Sequence, residues 1–283
     1  MAGRARSVSV RGVCLLIALF QVLPDAPLLV AANRDERLDR PAVPVTVLRE
    51  REPRILGGRD LLSGGTWLAV NDRGVVAGLT NQPAPDGRDP TKRSRGELPL
   101  ACAGHATAAE AVEALVADVD PARYNPSWML VGDRDALFAV AIGPESGRPQ
   151  AEQLGPGQYV VENSPIRAES RKAAFVAELV ERALAERAGP GAPATAAALA
   201  TVLRHHRPAV PEPRTDAAGR VWSPALSAAC VHADHFGTRS SAIVTVRAAG
   251  LPELEVSDGK PCETPLRDVT GLWTTDRVAA LSG

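Results

Sequence analysis

Two neighbouring apolar runs near the start of the chain constrain its fold more than any other feature. Residues 14–23 form the first run, residues 28–32 form the second, and Pro24-Asp25-Ala26-Pro27 separates them. Proline fixes φ and aspartate caps turns through its side chain, so this tetrapeptide predicts a turn. The result is an antiparallel hairpin, in which the start of the first strand lies beside the end of the second. It places the Cys14 thiol close to the polar tetrapeptide Asn33-Arg34-Asp35-Glu36.

Length and composition exclude several classes of function. The chain has 283 residues, is 45% hydrophobic and carries a formal net charge of −1. A balanced charge of this kind produces no overall field that favours nucleic acid or an anionic membrane. The first apolar run is about half the roughly 20 residues that a membrane-spanning helix requires. We therefore expect neither a nucleic-acid partner nor stable membrane insertion; the oligomeric state is left open.

The first thirteen residues are predicted to be an extension outside the domain, which would cover residues 14–283. Arginines followed by an apolar run imitate a signal peptide, but the prolines interrupt it, and cleavage after Ala32 would delete the first strand. A bacterial GTG start codon is read as valine inside a gene, so translation from Val13 is the alternative that we prefer. Removal of the initiator methionine would then leave Cys14 as residue one, in a cytoplasmic protein.

The remaining segments predict hairpins of strands with a block of helices between them. Strands are expected over residues 66–70, 75–80, 128–131, 136–142, 158–161, 228–232, 241–247 and 269–274. Helices are expected over residues 107–119, 170–185 and 196–205, and irregular chain over 37–53, 86–95, 234–240 and 251–265. This order favours an α+β fold with antiparallel sheets over alternating βαβ units. Residues 189–193 are the only flexible seam, so we expect one domain.

Cys14 is the candidate nucleophile. An α-amino group has a pKa of about 7.7–8.0 and can take the thiol proton of a terminal cysteine. Arg34 would favour the thiolate, and Asp35 could hold the ammonium group. Asn81 and Asn163 each follow a predicted strand, a place suited to donors for an oxyanion. Asparagine is equally typical of turns that end strands, so this alternative stays open for both.

Other polar clusters indicate less. Four basic residues between positions 88 and 95 form either a solvated loop or an anion-binding mouth, namely Arg88, Lys92, Arg93 and Arg95. His232 and His235 could suggest a metal, but no cysteine or carboxylate cluster has zinc spacing, so we predict none. Cys102 and Cys230 are expected to be small buried apolar residues. No nucleophile elbow, P-loop or dinucleotide fingerprint is present.

Asn33-Arg34-Asp35-Glu36 after a hairpin that begins with cysteine resembles the NRDE family, the relatives of transport and Golgi organisation protein 2. Further segments resemble the family between Cys14 and about Val246: residues 62–69, 77–81, 94–96, 125–126 and 237–241. The family in turn is similar to the N-terminal nucleophile hydrolases. That resemblance implies an αββα sandwich of two antiparallel sheets. Its nearest catalytic analogues are penicillin V acylases and bile salt hydrolases, which cleave amides with a terminal cysteine.

The resemblance also implies roles for particular residues. Cys14 would be the nucleophile, Asp35 the carboxylate near the amine, and Asn81 or Thr80 together with Asn163 the oxyanion donors. Arg34, Asn33 and Arg239 would contact the substrate. The sequence departs from the hydrolases at Ala32, where they carry an arginine. Arg34 is a poor replacement because adjacent strand residues face opposite sides.

Three functional interpretations follow. The first is hydrolysis of a small linear amide, with no cofactor. The second is a non-catalytic protein that binds or transports haem, a lipid or acyl-CoA in the same cleft, because members of the family have been linked to these ligands. In that case Cys14, or His232 and His235, would approach the ligand. The third is a structural role in which the tetrapeptide is an ion-pair knot that holds loops.

Overall fold

The computed structural model describes residues 14–84, 87–166, 168–186, 195–215 and 221–274. The N-terminal extension and the predicted seam at residues 189–193 lie outside these ranges. The strands are β1 (Leu15–Phe20), β2 (Leu28–Arg37), β3 (Ala42–Arg49), β4 (Ile55–Asp60), β5 (Leu68–Asn71), β6 (Val76–Asn81), β7 (Ser127–Gly132), β8 (Leu137–Ile142), β9 (Gln150–Leu154), β10 (Gly157–Val161), β11 (Arg214–Thr215), β12 (Val221–Trp222), β13 (Phe236–Val246), β14 (Glu253–Ser257) and β15 (Arg267–Asp268). The helices are α1 (Glu97–Cys102), α2 (Ala108–Asp118), α3 (Arg171–Ala185) and α4 (Thr195–Leu203).

Two antiparallel sheets make up most of the described structure. The first sheet has the strand order β10-β1-β2-β13-β14-β15, and the second has the order β3-β4-β5-β6-β7-β8-β9. The second sheet is a meander, in which each strand pairs with its neighbour in sequence. The first sheet instead brings β2 against β13, far apart along the chain. β2 is therefore a central strand, paired on both sides.

Side chains alternate between the two faces of each strand, and this alternation builds three apolar layers. Leu16 and Val30 point from the first sheet into a core shared with Leu130 of the second. On the outer face of the first sheet, residues such as Ile17 pack against α3 and α4. The outer face of the second sheet packs against α1 and α2 around Val131. The layers are thus helix, sheet, sheet, helix, and the predicted α+β fold is confirmed.

The N-terminal hairpin forms as its sequence predicts. Leu15 lies opposite Asn33 and Leu16 lies opposite Ala32, so β1 and β2 are antiparallel neighbours. The turn is closed by a hydrogen bond of 2.7 Å from the Gln21 N–H to the Pro27 carbonyl. This register puts Cys14, the residue before β1, at the end of β2 that carries the polar tetrapeptide.

Two predicted helices also have the expected starts. The Thr107 hydroxyl accepts a bond of 3.2 Å from the Glu110 N–H at the beginning of α2. The Ser170 hydroxyl accepts one of 3.1 Å from the Ala173 N–H before α3. Such capping satisfies backbone donors that a helix leaves unpaired in its first turn. No helix in the described part of the chain has the length and apolar character to cross a membrane.

Several predictions of irregular chain were wrong. Residues 37–53 contain β3, an edge strand of the second sheet. Edge strands tolerate the prolines and charges that made this segment resemble a loop. The irregular chain predicted over 251–265 contains β14, and β13 begins inside the loop predicted over 234–240. The short helix α1 and the exposed strand β9 were not predicted.

Two predicted strands were also wrong. Residues 228–232 do not form a strand; they follow a 3-10 turn at Pro224–Ser227, and His232 forms only an isolated bridge to Gly237. Residues 269–274 contain a 3-10 turn at Thr270–Trp273. The Trp273 indole donates a bond of 2.7 Å to the Pro252 carbonyl, so this turn is held by tertiary contact.

A close approach of two glycines holds the loop before α1 against the second sheet. A Cβ added at Gly65 would lie 2.4 Å from the Gly96 carbonyl carbon. The Thr66 N–H also donates a bond of 2.9 Å to the Gly96 carbonyl. Only glycine permits backbones to approach this closely. The contact positions Arg95, the residue before Gly96, beside the cavity described below.

We expect Gly65→Ala to lower the free energy of unfolding by about 1–3 kcal/mol, because the added methyl group meets rigid backbone. Urea unfolding followed by circular dichroism measures this change. Gly155→Ala is the matched control, since a Cβ there would meet nothing within 4 Å. Equal stability of the two variants would contradict the close contact.

Candidate functional site

A polar cavity opens between the sheets at the end of the N-terminal hairpin. Its volume is about 380 Å³. Cys14, Arg34, Asp35 and Asn81 all line it. Four residues predicted from the sequence to serve catalysis or binding are therefore brought together here.

Cys14 is a buried residue of the cavity lining. The Sγ atom lies 3.9 Å from the Asp35 carbonyl oxygen, to which it donates a weak hydrogen bond. Burial raises the pKa of the Cys14 thiol to about 12, and the negative charge of Asp35 adds to that rise while Arg34 opposes it. The thiol is therefore neutral near pH 7, and attack by its sulfur requires a base that takes the proton.

The four side chains of the tetrapeptide diverge because strand residues alternate in direction. Asn33 faces the helices and donates bonds of 3.0 and 2.7 Å to the carbonyls of Leu203 and Ala229. Its side-chain oxygen accepts a bond of 2.5 Å from the Ser241 hydroxyl. Asn33 does not line the Cys14 cavity. Its amide fastens α4 and the segment before β13 to β2.

Asp35 is a fully buried carboxylate on the same face of β2 as Asn33, the face toward the helices. The Thr238 hydroxyl donates a bond of 2.5 Å to one oxygen, and the Lys172 ammonium lies 3.7 Å from the other. Burial raises the pKa of the Asp35 carboxyl to about 7, although Lys172 and Thr238 both favour the charged form. Sequence reasoning missed Lys172. Its spacing of four residues from Val176 on the buried stripe of α3 is the signal that could have revealed it.

Arg34 points to the opposite side, between the sheets. Its guanidinium carbon lies 4.4 Å from the ring centroid of Trp67, and its Nη2 atom lies 3.2 Å from Asp60. Arg40 forms a second ion pair with Asp60 at 2.5 Å and a third with Glu36 at 3.6 Å. Arg34 and Glu36 thus belong to an ion-pair network. This network supports a structural role for part of the tetrapeptide.

The predicted oxyanion donors lie at two strand ends that a hydrogen bond joins. The Thr80 hydroxyl donates a bond of 2.7 Å to the Glu162 carbonyl, linking the end of β6 to the end of β10. Asn81 lines the Cys14 cavity. Asn163 lines an adjacent cavity of about 810 Å³, which it shares with Lys172. Both roles as oxyanion donors remain predictions.

Arg239 lies apart from the lining of the Cys14 cavity. One nitrogen of its guanidinium donates bonds of 3.0, 2.7 and 3.0 Å to the carbonyls of Arg37, Leu38 and Arg40. These contacts brace the chain that leaves β2. These backbone contacts do not favour the predicted role of Arg239 in binding substrate.

Most of the basic run predicted as a loop or an anion-binding mouth reaches the cavity. Arg88, Arg93 and Arg95 line it. Arg95 donates a bond of 2.9 Å to the Pro126 carbonyl. Burial, together with the charge of Arg88, lowers the pKa of Arg95 to about 10. Arg95 still carries its charge at neutral pH, so the cavity contains a partly buried cation.

His232 and His235, considered together from the sequence, are not in the same cluster of potential metal ligands. His232 instead lies with His206 and Cys262, and their candidate ligand atoms are within 4.8 Å of one another. Cys230 adjoins this group. Cys230 is buried, as expected, but its thiol contacts polar side chains.

Fold and site together define a four-layer αββα protein whose first strand carries a cysteine to a polar cavity between the sheets. The chain belongs to the Transport and Golgi organisation 2 family, whose model matches residues 13–256. It is 30% identical over 243 residues to the Transport and Golgi organization protein 2 homologs of Bos taurus and of Homo sapiens. Each match covers 79% of this chain and 83% of the relative. The resemblance read from the motifs is confirmed.

The chain is also similar to solved structures of amide hydrolases. A conjugated bile acid hydrolase from Clostridium perfringens is 10% identical with a TM-score of 0.48, over 93% of this chain and 95% of that one. The Caenorhabditis elegans ortholog of N-acylethanolamine-hydrolyzing acid amidase is 12% identical with a TM-score of 0.48, over 81% and 92%. Penicillin V acylase from Agrobacterium tumefaciens is 14% identical with a TM-score of 0.43, over 86% and 82%.

The buried Asp35 makes stability depend on pH. Burial raises the pKa of this carboxyl from 3.8 to about 7 on folding, so its favourable contribution is complete below pH 3.8 and is lost as the pH rises through 7. Between pH 5 and 8 the free energy of unfolding should fall by about 2–3 kcal/mol on this account. Asp35→Asn should abolish that part of the fall, as urea unfolding at both pH values measures.

Asp60→Asn is the control for the pH measurement. Burial opposes ionisation of Asp60, but hydrogen bonds from Arg40 and the Ser63 backbone outweigh it and lower the pKa of this carboxyl. Asp60 is thus ionised in both the folded and unfolded states above pH 5. Its substitution should reduce stability equally at pH 5 and pH 8. A pH dependence in Asp35→Asn that matches the unmodified protein would contradict our assignment of the buried charge.

Proposed function

We propose that the protein is a hydrolase that cleaves a small linear amide through an acyl-enzyme on Cys14. The observation that carries this proposal is the cavity that Cys14 and Asn81 line together, with the Asp35 backbone carbonyl beside the thiol. A nucleophile and an amide donor are groups that acyl transfer uses. The arginines of the lining would favour a substrate with an anionic group.

The reaction would begin with attack of the Cys14 sulfur on the amide carbon. The thiol proton passes to the α-amino group of Cys14, which requires that Cys14 be the first residue of the mature chain. Donors such as the Asn81 amide hold the oxyanion. The protonated amine leaves, and water then hydrolyses the thioester. A neutral thiol with a pKa of about 12 is compatible with this scheme, because the proton leaves only during attack.

The test compares the full chain with a chain that starts at Cys14 after removal of methionine. We expect only the second form to release amine from a panel of small N-acyl amides with chromogenic leaving groups. Cys14→Ala in that form should lower turnover at least about a hundred-fold, because the nucleophile is lost. Intact-mass measurement should detect the acyl group on the unsubstituted protein alone.

Cys102→Ala is the matched control, because Cys102 is also a buried free thiol but lies in α1. Its turnover should be unchanged. The N-terminal mass of protein from its native host completes the test. A mature chain that retains residues before Cys14, or equal turnover by Cys14→Ala, would refute the hydrolase.

A second candidate function is non-catalytic binding of haem or of an acylated ligand such as acyl-CoA. The specific observation in its favour is the partly buried cation Arg95 in the same cavity as a thiol that stays protonated. A partly buried guanidinium suits a phosphate or carboxylate group.

Titration of the full chain with haem, followed by absorbance, separates the two candidates. Binding in the Cys14 cavity would shift the Soret band, and Arg95→Gln would weaken the binding. A shift unaffected by this variant, or no shift together with amide turnover, would contradict the binding function.

A further inference from the structure

Four potential metal ligands from three separate segments meet on the side of the first sheet that carries α4. Cys230 and His232 lie in the irregular segment before β13, Cys262 lies in the loop after β14, and His206 follows the end of α4. The Cys14 cavity includes none of them. We propose that these residues form a zinc site, with Cys230, His232 and Cys262 as three ligands and His206 closing the fourth position.

The distances among Cys230, His232 and Cys262 match the edges of a zinc tetrahedron, and His206 has a ligand atom within 4.8 Å of those of His232 and Cys262. Zinc lies about 2.3 Å from sulfur and about 2.0–2.1 Å from nitrogen, so a tetrahedral site separates two sulfurs by about 3.8 Å and a sulfur and a nitrogen by about 3.5 Å. The Cys230 and Cys262 sulfurs are 3.7 Å apart. The His232 Nε2 atom lies 3.5 Å from the first sulfur and 3.2 Å from the second.

The chemistry of the donor set selects the ion. Two thiols and two imidazoles are soft or intermediate ligands, which favour zinc over calcium or magnesium. The thiols must lose their protons to bind, so one zinc ion would release two protons to solvent. All described cysteines are free, so both sulfurs are available.

The backbone of the cluster is already ordered. The Cys230 N–H donates a bond of 2.9 Å to the His205 carbonyl, which ties the cysteine to the chain beside His206. Two hydrogen bonds to the Lys260 carbonyl, of 3.0 Å from the Glu263 N–H and 2.7 Å from the Thr264 N–H, shape the turn that carries Cys262. A metal would thus join three segments that each have a defined position.

The proposed zinc site is connected to Asp35 through Val231 and Thr238. Val231, between Cys230 and His232, exchanges two hydrogen bonds with Thr238, of 3.0 Å between the backbones and 2.8 Å to the hydroxyl. The same hydroxyl binds the Asp35 carboxylate. The Asn33 amide holds the Ala229 carbonyl at 2.7 Å. The zinc ion would therefore brace the segment that supports the buried carboxylate, and its role would be structural.

The experiment uses the untagged full chain, purified with a mild reductant and without chelator. Mass spectrometry of the metal content should find one zinc ion per chain. Replacement by cobalt should give thiolate-to-cobalt charge-transfer absorption together with the strong visible bands of a tetrahedral site. His232→Gln should lower the zinc content at least tenfold and remove these bands, and because His232 is exposed the variant should fold.

His235→Gln is the matched control, since His235 is an exposed histidine of the same segment that lies outside the cluster. It should retain both zinc and the cobalt spectrum. Cys262→Ser should lose both, and zinc should raise the melting temperature of the reduced, metal-free wild-type chain but not that of this variant. Absence of zinc and of cobalt binding in reduced protein would overturn the proposal. So would weak octahedral cobalt bands alone, or a Cys230–Cys262 disulfide in protein purified with reductant.

Discussion

The buried carboxylate of Asp35 is the constraint on which the candidate site depends. A charge in the interior is costly unless it is paired and hydrogen-bonded. Thr238 from β13 and Lys172 from α3 supply those partners. The central position of β2 makes this possible, because it is paired with β1 on one side and β13 on the other. Cys14 depends on the same arrangement, since its thiol contacts the Asp35 carbonyl.

Alternation along β2 separates one sequence motif into two physical roles. Asn33 and Asp35 face the helices and connect the first sheet to the helical layer. Arg34 and Glu36 turn the other way into an ion-pair network at the cavity between the sheets. A structural role and a role in the site are therefore not alternatives for this motif. They belong to opposite faces of the same strand.

Local patterns predicted the N-terminal hairpin, α2, α3 and the α+β class correctly, because turn residues, caps and apolar periodicity act over a few residues. The predictions failed where tertiary contact outweighs local preference. Strand β3 forms at a sheet edge despite its prolines and charges. Residues 228–232 have the composition of a strand, yet their hydrogen bonds with Asn33, Thr238 and His205 keep them out of the sheet.

The same distinction applies to the candidate site. The sequence alone determined that Cys14 lies beside Asp35, because a hairpin with a short turn has only one register that suits its apolar alternation. It also located Asn81 at a strand end and three arginines of the cavity. Only the tertiary structure decided that Lys172 pairs with Asp35, that Asn163 lines a neighbouring cavity, and that two cysteines and two histidines meet. These contacts join segments separated by long stretches of chain, and the packing of the layers, which no local pattern encodes, brings them together.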